Sequence, residues 1–169
     1  LAGLVFVATV PRLVHRGLRE DGVHPLYGIR YWLYRIVART TNSGFYCALF
    51  GDSSAILHYL RLVGYRFGRP LVQSGSNFGV EVRHENPYLS GVGSGTMVSD
   101  GLSVMNAEYS STSFRLRRAE LGSRNFLGNN IAYPAGARVG DNCLLATKVM
   151  VPIDGTVRHD IGLLGSPAF

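Results

Sequence analysis

Counting in sixes from Leu121 meets Leu127, Tyr133, Val139, Leu145, Val151 and Val157, seven apolar positions in unbroken register. The next residue in the first six units is Gly122, Gly128, Pro134, Gly140, Ala146 or Pro152, each small or turn-forming. Neither the 3.6-residue period of an α-helix nor the two-residue period of a strand keeps that register. A parallel β-helix does, because each hexad supplies one short strand and one corner, and three faces close a coil of about 18 residues. The expected fold is therefore mainly β: a left-handed parallel β-helix over residues 71–169, with short parallel strands from near Val92 to Val157. Leu121, Leu127, Val139, Leu145 and Val151 should point inward.

An earlier run keeps the same period in another phase: Val80, Asn86, Val92, Val98 and Val104. From Val104 to Leu121 the spacing is one residue short of three hexads. The segment NAEYSSTSFRLRRAE (106–120) is thus expected to hold a bulge or outward loop, and such excursions often build binding sites. Ahead of the repeats the period changes. In PLYGIRYWLYRIVART, Pro25 suits a first helical position, and Leu26, Ile29, Leu33, Ile36 and Val37 recur at helical spacing, with Arg30, Arg35 and Arg39 between them. Residues Thr41 to Gly44 break the pattern. A second helix is expected in FGDSSAILHYLRLVGYRFGRP, capped by Asp52 or Ser53, with Ile56, Tyr59, Leu60 and Val63 as its apolar stripe and Gly64 as its end. Residues 20–70 read as a helical adaptor.

The first ten residues, LAGLVFVATV, are apolar apart from Thr9, and Pro11, Arg12, His15, Arg16 and Arg19 follow. A membrane helix needs about 20 apolar residues. Residues 1–19 are expected to be the last turns of a membrane helix that began before Leu1, with its basic flank on the cytoplasmic side. That places the molecule at the inner membrane with the repeats on the cytoplasmic face. The other reading of the stub is a short amphipathic helix packed on the domain's own core.

Composition adds turns and charge. The 21 glycines without a three-residue period point to many tight turns. An apolar content of 46% can fill a core. The formal charge of +6 suits an anionic membrane surface, a phosphate-bearing ligand or nucleic acid, but no basic patch interleaved with aromatics favours nucleic acid. Cys47 and Cys143 have no metal-ligand spacing and read as buried thiols, so no metal site is expected.

The hexad pattern resembles the bacterial hexapeptide acyltransferases. Nearly the whole chain, from about Pro11, resembles the carboxy-terminal region of the membrane-bound nonribosomal peptide synthetases of the ε-poly-L-lysine synthetase family. The strings that carry this are HPLYGIRYWLYR, FGDSSAILHYLR, QSGSNFG, VRHENPYLSGVGSGTMVSDGLSVMNAEYSSTSFRLRR, LGSRNFLGNNIAYP and GDNCLLATKVMVPIDG. The resemblance implies a terminal module that helps join amino-acid monomers held as thioesters on a phosphopantetheine arm. Its partners would be a thiolation domain and sibling modules of the same synthetase, with attachment to the membrane through the amino-terminal helix. No tightly bound cofactor is implied beyond that partner's arm. Many hexapeptide proteins are trimers, so a trimer or pseudo-trimer is implied as well. The alternatives are a non-catalytic scaffold that docks the thiolation domain and a coenzyme A-dependent acyltransferase. The sequence does not name the amino acid joined.

Amide formation from a thioester needs a base for the attacking amine and donors for the oxyanion. His84 is the expected base, as imidazole titrates near neutrality; the alternative is a surface or corner histidine. Asn106 is the expected oxyanion donor, and Asp100 a further catalytic candidate that could instead be a turn residue. Arg115, Arg117 and Arg118 are expected to meet the phosphate of the pantetheine arm, or else to form a solvated basic face. Ser110 to Ser113 form a hydroxyl cluster without a nucleophile elbow. SGSNFG is only a weak phosphate-loop signal.

Overall fold

The computed structural model describes residues 2–71, 78–166 and 168. Four helices open the chain: α1 (Ala2–His15), α2 (Ile29–Thr41), α3 (Gly44–Phe50) and α4 (Ala55–Val63). Thirteen strands of two to four residues accompany them: β1 (Val23–Pro25), β2 (Arg66–Phe67), β3 (Arg83–His84), β4 (Ser90–Val92), β5 (Met97–Val98), β6 (Ser103–Val104), β7 (Ala107–Tyr109), β8 (Ser113–Leu116), β9 (Ala119–Leu121), β10 (Phe126–Leu127), β11 (Ala132–Tyr133), β12 (Leu144–Leu145) and β13 (Gly162–Leu163). They pair in four small sheets. Three are parallel, in the orders β13-β12-β10-β5, β11-β6-β3 and β2-β4-β9; the fourth, β1-β8-β7, is antiparallel.

The expected fold class is corrected by this arrangement. The chain is a mixed α/β fold with 29% helix and 22% strand, its short strands dispersed over several small parallel and antiparallel sheets, and not a mainly β, left-handed parallel β-helix. Two physical causes stand out. The helices pack onto the strands through one continuous apolar core that runs from Val7 through Ile56 and Leu60 to Leu145 and Leu163. The segment after Val104 also leaves the parallel pairing: β7 and β8 form an antiparallel hairpin, and β8 pairs in turn with β1 from the amino-terminal part. The six-residue register marks which side chains are buried. Leu121, Leu127, Tyr133, Val139, Leu145 and Val151 are all in the core, whereas Val157, the last of the series, is exposed.

Helix α4 follows its pattern closely. Ile56, Leu57, Tyr59, Leu60 and Val63 are buried, and Gly64 ends the helix at φ +127°, where a side chain would also collide with the Tyr88 ring. The N-cap of α4 is Ser54, without a side-chain capping bond, and neither Asp52 nor Ser53 holds that position, although the Ser53 hydroxyl accepts from the Ala55 N–H at 3.3 Å. Helix α2 departs from expectation. Pro25 lies in β1 instead of opening the helix. The buried side is Tyr34, Val37 and Thr41, while Ile29 and Ile36 face solvent. Tyr34 packs on Phe114 of β8, so the inserted hairpin decides which face turns inward. Helix α3 begins inside the stretch read as a break. In α1, Val7 and Pro11 are buried and Val5, Phe6 and Leu13 are exposed. Among the described residues no helix is long and apolar enough to cross a membrane. Cys47 and Cys143 are buried free thiols.

Candidate functional site

The Asn42 side chain joins the end of α2 to β3. Its amide N–H donates to the His84 carbonyl, and its Oδ1 accepts from the His84 N–H at 3.0 Å. The clamp holds residues 80–85 beside the last turns of α2. Between them, with Ser103 to Met105 as floor, lies a groove of about 550 Å³, a volume typical of small-ligand clefts. Arg35, Arg39 and Arg83 line it, together with Glu81, Glu85 and Cys47.

Alternation along β3 determines which side chains reach the groove. Val82, His84 and Asn86 are buried, while Glu81 and Arg83 are exposed and Glu85 is half-buried. Successive strand residues point to opposite faces, so Glu81, Arg83 and Glu85 form one side and His84 the other. The Asp100 carboxylate accepts from the Glu81 N–H at 2.9 Å and fixes the start of this segment. Glu85 Oε2 accepts from the N–H groups of Asn106 and Ala107 at 2.8 and 2.7 Å, which ties the groove to the hairpin. The described residues give Arg35, Arg39 and Arg83 no ion pair. Burial pushes the Cys47 thiol pKa up, so this lining group stays protonated and is a poor nucleophile.

The expected catalytic residues are placed differently. His84 is 3% exposed and packs edge-on against Tyr65, and neither ring nitrogen has a hydrogen-bond partner. Burial pushes its pKa down to about 3. A base so weak, facing the core, has poor driving force for taking a proton from an amine. Asn106 is buried and its amide is fully engaged. Oδ1 accepts from the Asn86 N–H at 2.9 Å and the Ser90 hydroxyl at 3.3 Å, and the amide nitrogen donates to the carbonyls of Leu89 and Arg117 at 3.3 and 3.2 Å. It has no donor left for an oxyanion. Asp100 is a turn anchor. The fold does not gather these three around one reacting atom.

The three expected phosphate ligands are each paired. Arg115 reaches Glu108 at 2.5 Å, Arg117 reaches Glu108 at 3.3 Å, and Arg118 binds Glu20 at 2.6 Å. Arg115 pairs within the hairpin, Arg117 and Arg118 tie the hairpin to Asp21 and Glu20, and none of the three presents a free guanidinium. Ser110, Ser111 and Thr112 sit exposed at the hairpin turn. His15, from the basic flank of the amino-terminal segment, is half-buried and stacked on Tyr88. Residues 74–77 of SGSNFG lie outside the described residues. The arginines that the fold does bring to one groove, Arg35, Arg39 and Arg83, come from two elements, with Arg39 and Arg83 44 residues apart in sequence. The alternation E-V-R-H-E was the available signal for Glu81, Arg83 and Glu85; nothing in the sequence joined it to α2.

Asn106→Ala is expected to lower stability by about 1–3 kcal/mol, since it leaves the buried Asn86 N–H and two carbonyls without partners. Chemical denaturation measures this; an unchanged midpoint would show that the network carries little energy.

Compared with protein-family models, with curated proteins and with solved structures, the chain matches none.

Proposed function

We propose that the chain is a module of a membrane-bound nonribosomal peptide synthetase that serves amide-bond formation between aminoacyl thioesters by holding the phosphopantetheine arm of a partner thiolation domain. The observation that carries the reading is the groove with three arginines, given no ion pair by the described residues, beside two carboxylates. Guanidinium forks suit a phosphodiester. Glu81, whose carboxylate is exposed on the groove side, suits the ammonium of the monomer or growing chain. A single cleft therefore offers complementary charges to both ends of an aminoacyl arm. The sequence resemblance to the synthetase modules supports the same substrate class.

The scaffold reading stands second, and a specific observation favours it over a histidine-based transferase: the buried, partnerless ring of His84. In that reading the groove docks the arm while the bond forms elsewhere in the synthetase. A coenzyme A-dependent transferase would use the same arginines.

The test is the full-length synthetase carrying Arg39→Ala with Arg83→Ala. Amino-acid adenylation and thioester loading should be unchanged, and chain elongation should fall about tenfold or more, as expected for losing charge-assisted phosphate contacts. Elongation at the parent rate, in a folded protein, would overturn the groove as the arm's site. Elongation supported by an aminoacyl thioester of coenzyme A in the absence of the thiolation domain, with free coenzyme A released, would favour the independent transferase.

A further inference from the structure

We infer that the solvent face of α2, an apolar stripe bordered by arginines, rests on an anionic lipid surface. Ile29, Trp32 and Ile36 are spaced three and four residues apart on one side of the helix and are 75%, 59% and 41% exposed. Tyr27, just before the helix, is exposed as well. A water-facing helix side normally carries polar residues, and a contiguous apolar stripe marks an interaction surface. The next helix continues the theme, with Phe45 and Leu49 exposed one turn apart.

Charge selects the occupant. The four helices contain no acidic residue at all, and α2 carries Arg30, Arg35 and Arg39. Arg35 and Arg39, also one turn apart, lie along the edge between the apolar stripe and the groove. Arg30 is held by a contact to the His24 ring. Aromatic and aliphatic side chains on one face, with Arg35 and Arg39 along one edge, are the pattern of a helix lying in a lipid headgroup layer. An acidic protein would satisfy the arginines but would leave Ile29, Trp32 and Ile36 needing an apolar partner; an anionic bilayer supplies both. The attachment uses α2 and does not depend on any membrane-spanning segment. It would also open the groove toward the membrane surface, where a membrane-bound synthetase would present its arm.

Trp32 is the only tryptophan in the chain, which makes the stripe its own reporter. With phosphatidylglycerol-rich vesicles the purified chain should show a blue shift of tryptophan emission, lost at high salt. Binding to pure phosphatidylcholine should be about tenfold weaker or more, as each arginine near an anionic surface adds attraction. The variant Ile29→Glu with Ile36→Glu keeps Trp32 and leaves the groove intact; circular dichroism checks its fold. It should lose both the shift and most of the binding. Vesicle binding without a change in Trp32 emission, or equal binding by the variant, would overturn the inference and assign attachment to another part such as α1. A blue shift that follows protein concentration without vesicles would also overturn it, in favour of a second copy covering the stripe.

Discussion

Acid should unfold this protein through His84. The ring is buried against Tyr65 with both nitrogens unpartnered, and burial brings its pKa from the ordinary 6.5 to about 3. In the unfolded chain the imidazole takes up a proton near pH 6.5; in the folded chain it resists until near pH 3. The unfolded state therefore binds more protons throughout that window, and acid favours unfolding there. The contribution of neutral His84 is complete above pH 6.5 and is lost as the pH falls, at roughly 1.4 kcal/mol per pH unit. Over the window this amounts to several kcal/mol, a large part of the stability of a domain. Denaturation midpoints measured from pH 7 to pH 4 test it, with His84→Leu as the comparison. The variant removes two unsatisfied polar atoms and keeps an apolar side chain, so its stability should fall less steeply with acid. Parallel profiles for the two proteins would show that the folded ring protonates normally. Burial also lowers the pKa of His15 and His24, so the difference between the profiles, and not the parent's slope, isolates His84.

The same variant bears on mechanism. If His84 is a core residue, His84→Leu in the full synthetase should elongate polymer near the parent rate at neutral pH, while the Arg39 and Arg83 changes should not.

Leu145→Ala is the second large expected effect. Leu145 is fully buried in the central part of a four-stranded parallel sheet, in register with Leu127 on one side and Leu163 on the other. Alanine leaves a cavity between two fixed neighbours, since the flanking leucines are held by backbone pairing and have little freedom to collapse inward. A cost of about 2–5 kcal/mol is expected, against about 1 kcal/mol or less for the adjacent Leu144→Ala. Leu144 is half exposed on the opposite face of the same strand. Equal effects at the two positions would mean that the face assignment is wrong.

The six-residue spacing by itself marked Leu121, Leu127, Tyr133, Val139, Leu145 and Val151 as buried. Solvent exclusion acts position by position, and a period long enough to repeat six times leaves one consistent inward side. It also determined α4, where the apolar stripe and Gly64 agree with each other and with the core. The spacing did not determine the fold class, because burial at every sixth residue does not say how many sheets the strands form or how much helix packs on them. Only the tertiary structure decided that Ile29 and Ile36 face water. The choice depends on Phe114, which arrives from a hairpin nearly 80 residues later and claims the Tyr34 side of α2. The site followed the same rule. Glu81, Arg83 and Glu85 alternate visibly with buried Val82 and His84, so one wall of the groove was readable from strand periodicity. The other wall, Arg35 and Arg39, is clamped to it by Asn42, whose two hydrogen bonds to His84 no sequence pattern announces. The paired fate of Arg115, Arg117 and Arg118 was likewise set by folding. A cluster of arginines reads as a phosphate site until the chain brings Glu20 and Glu108 within reach, and neutralisation by a nearby carboxylate is a property of distance in space, not of order along the chain.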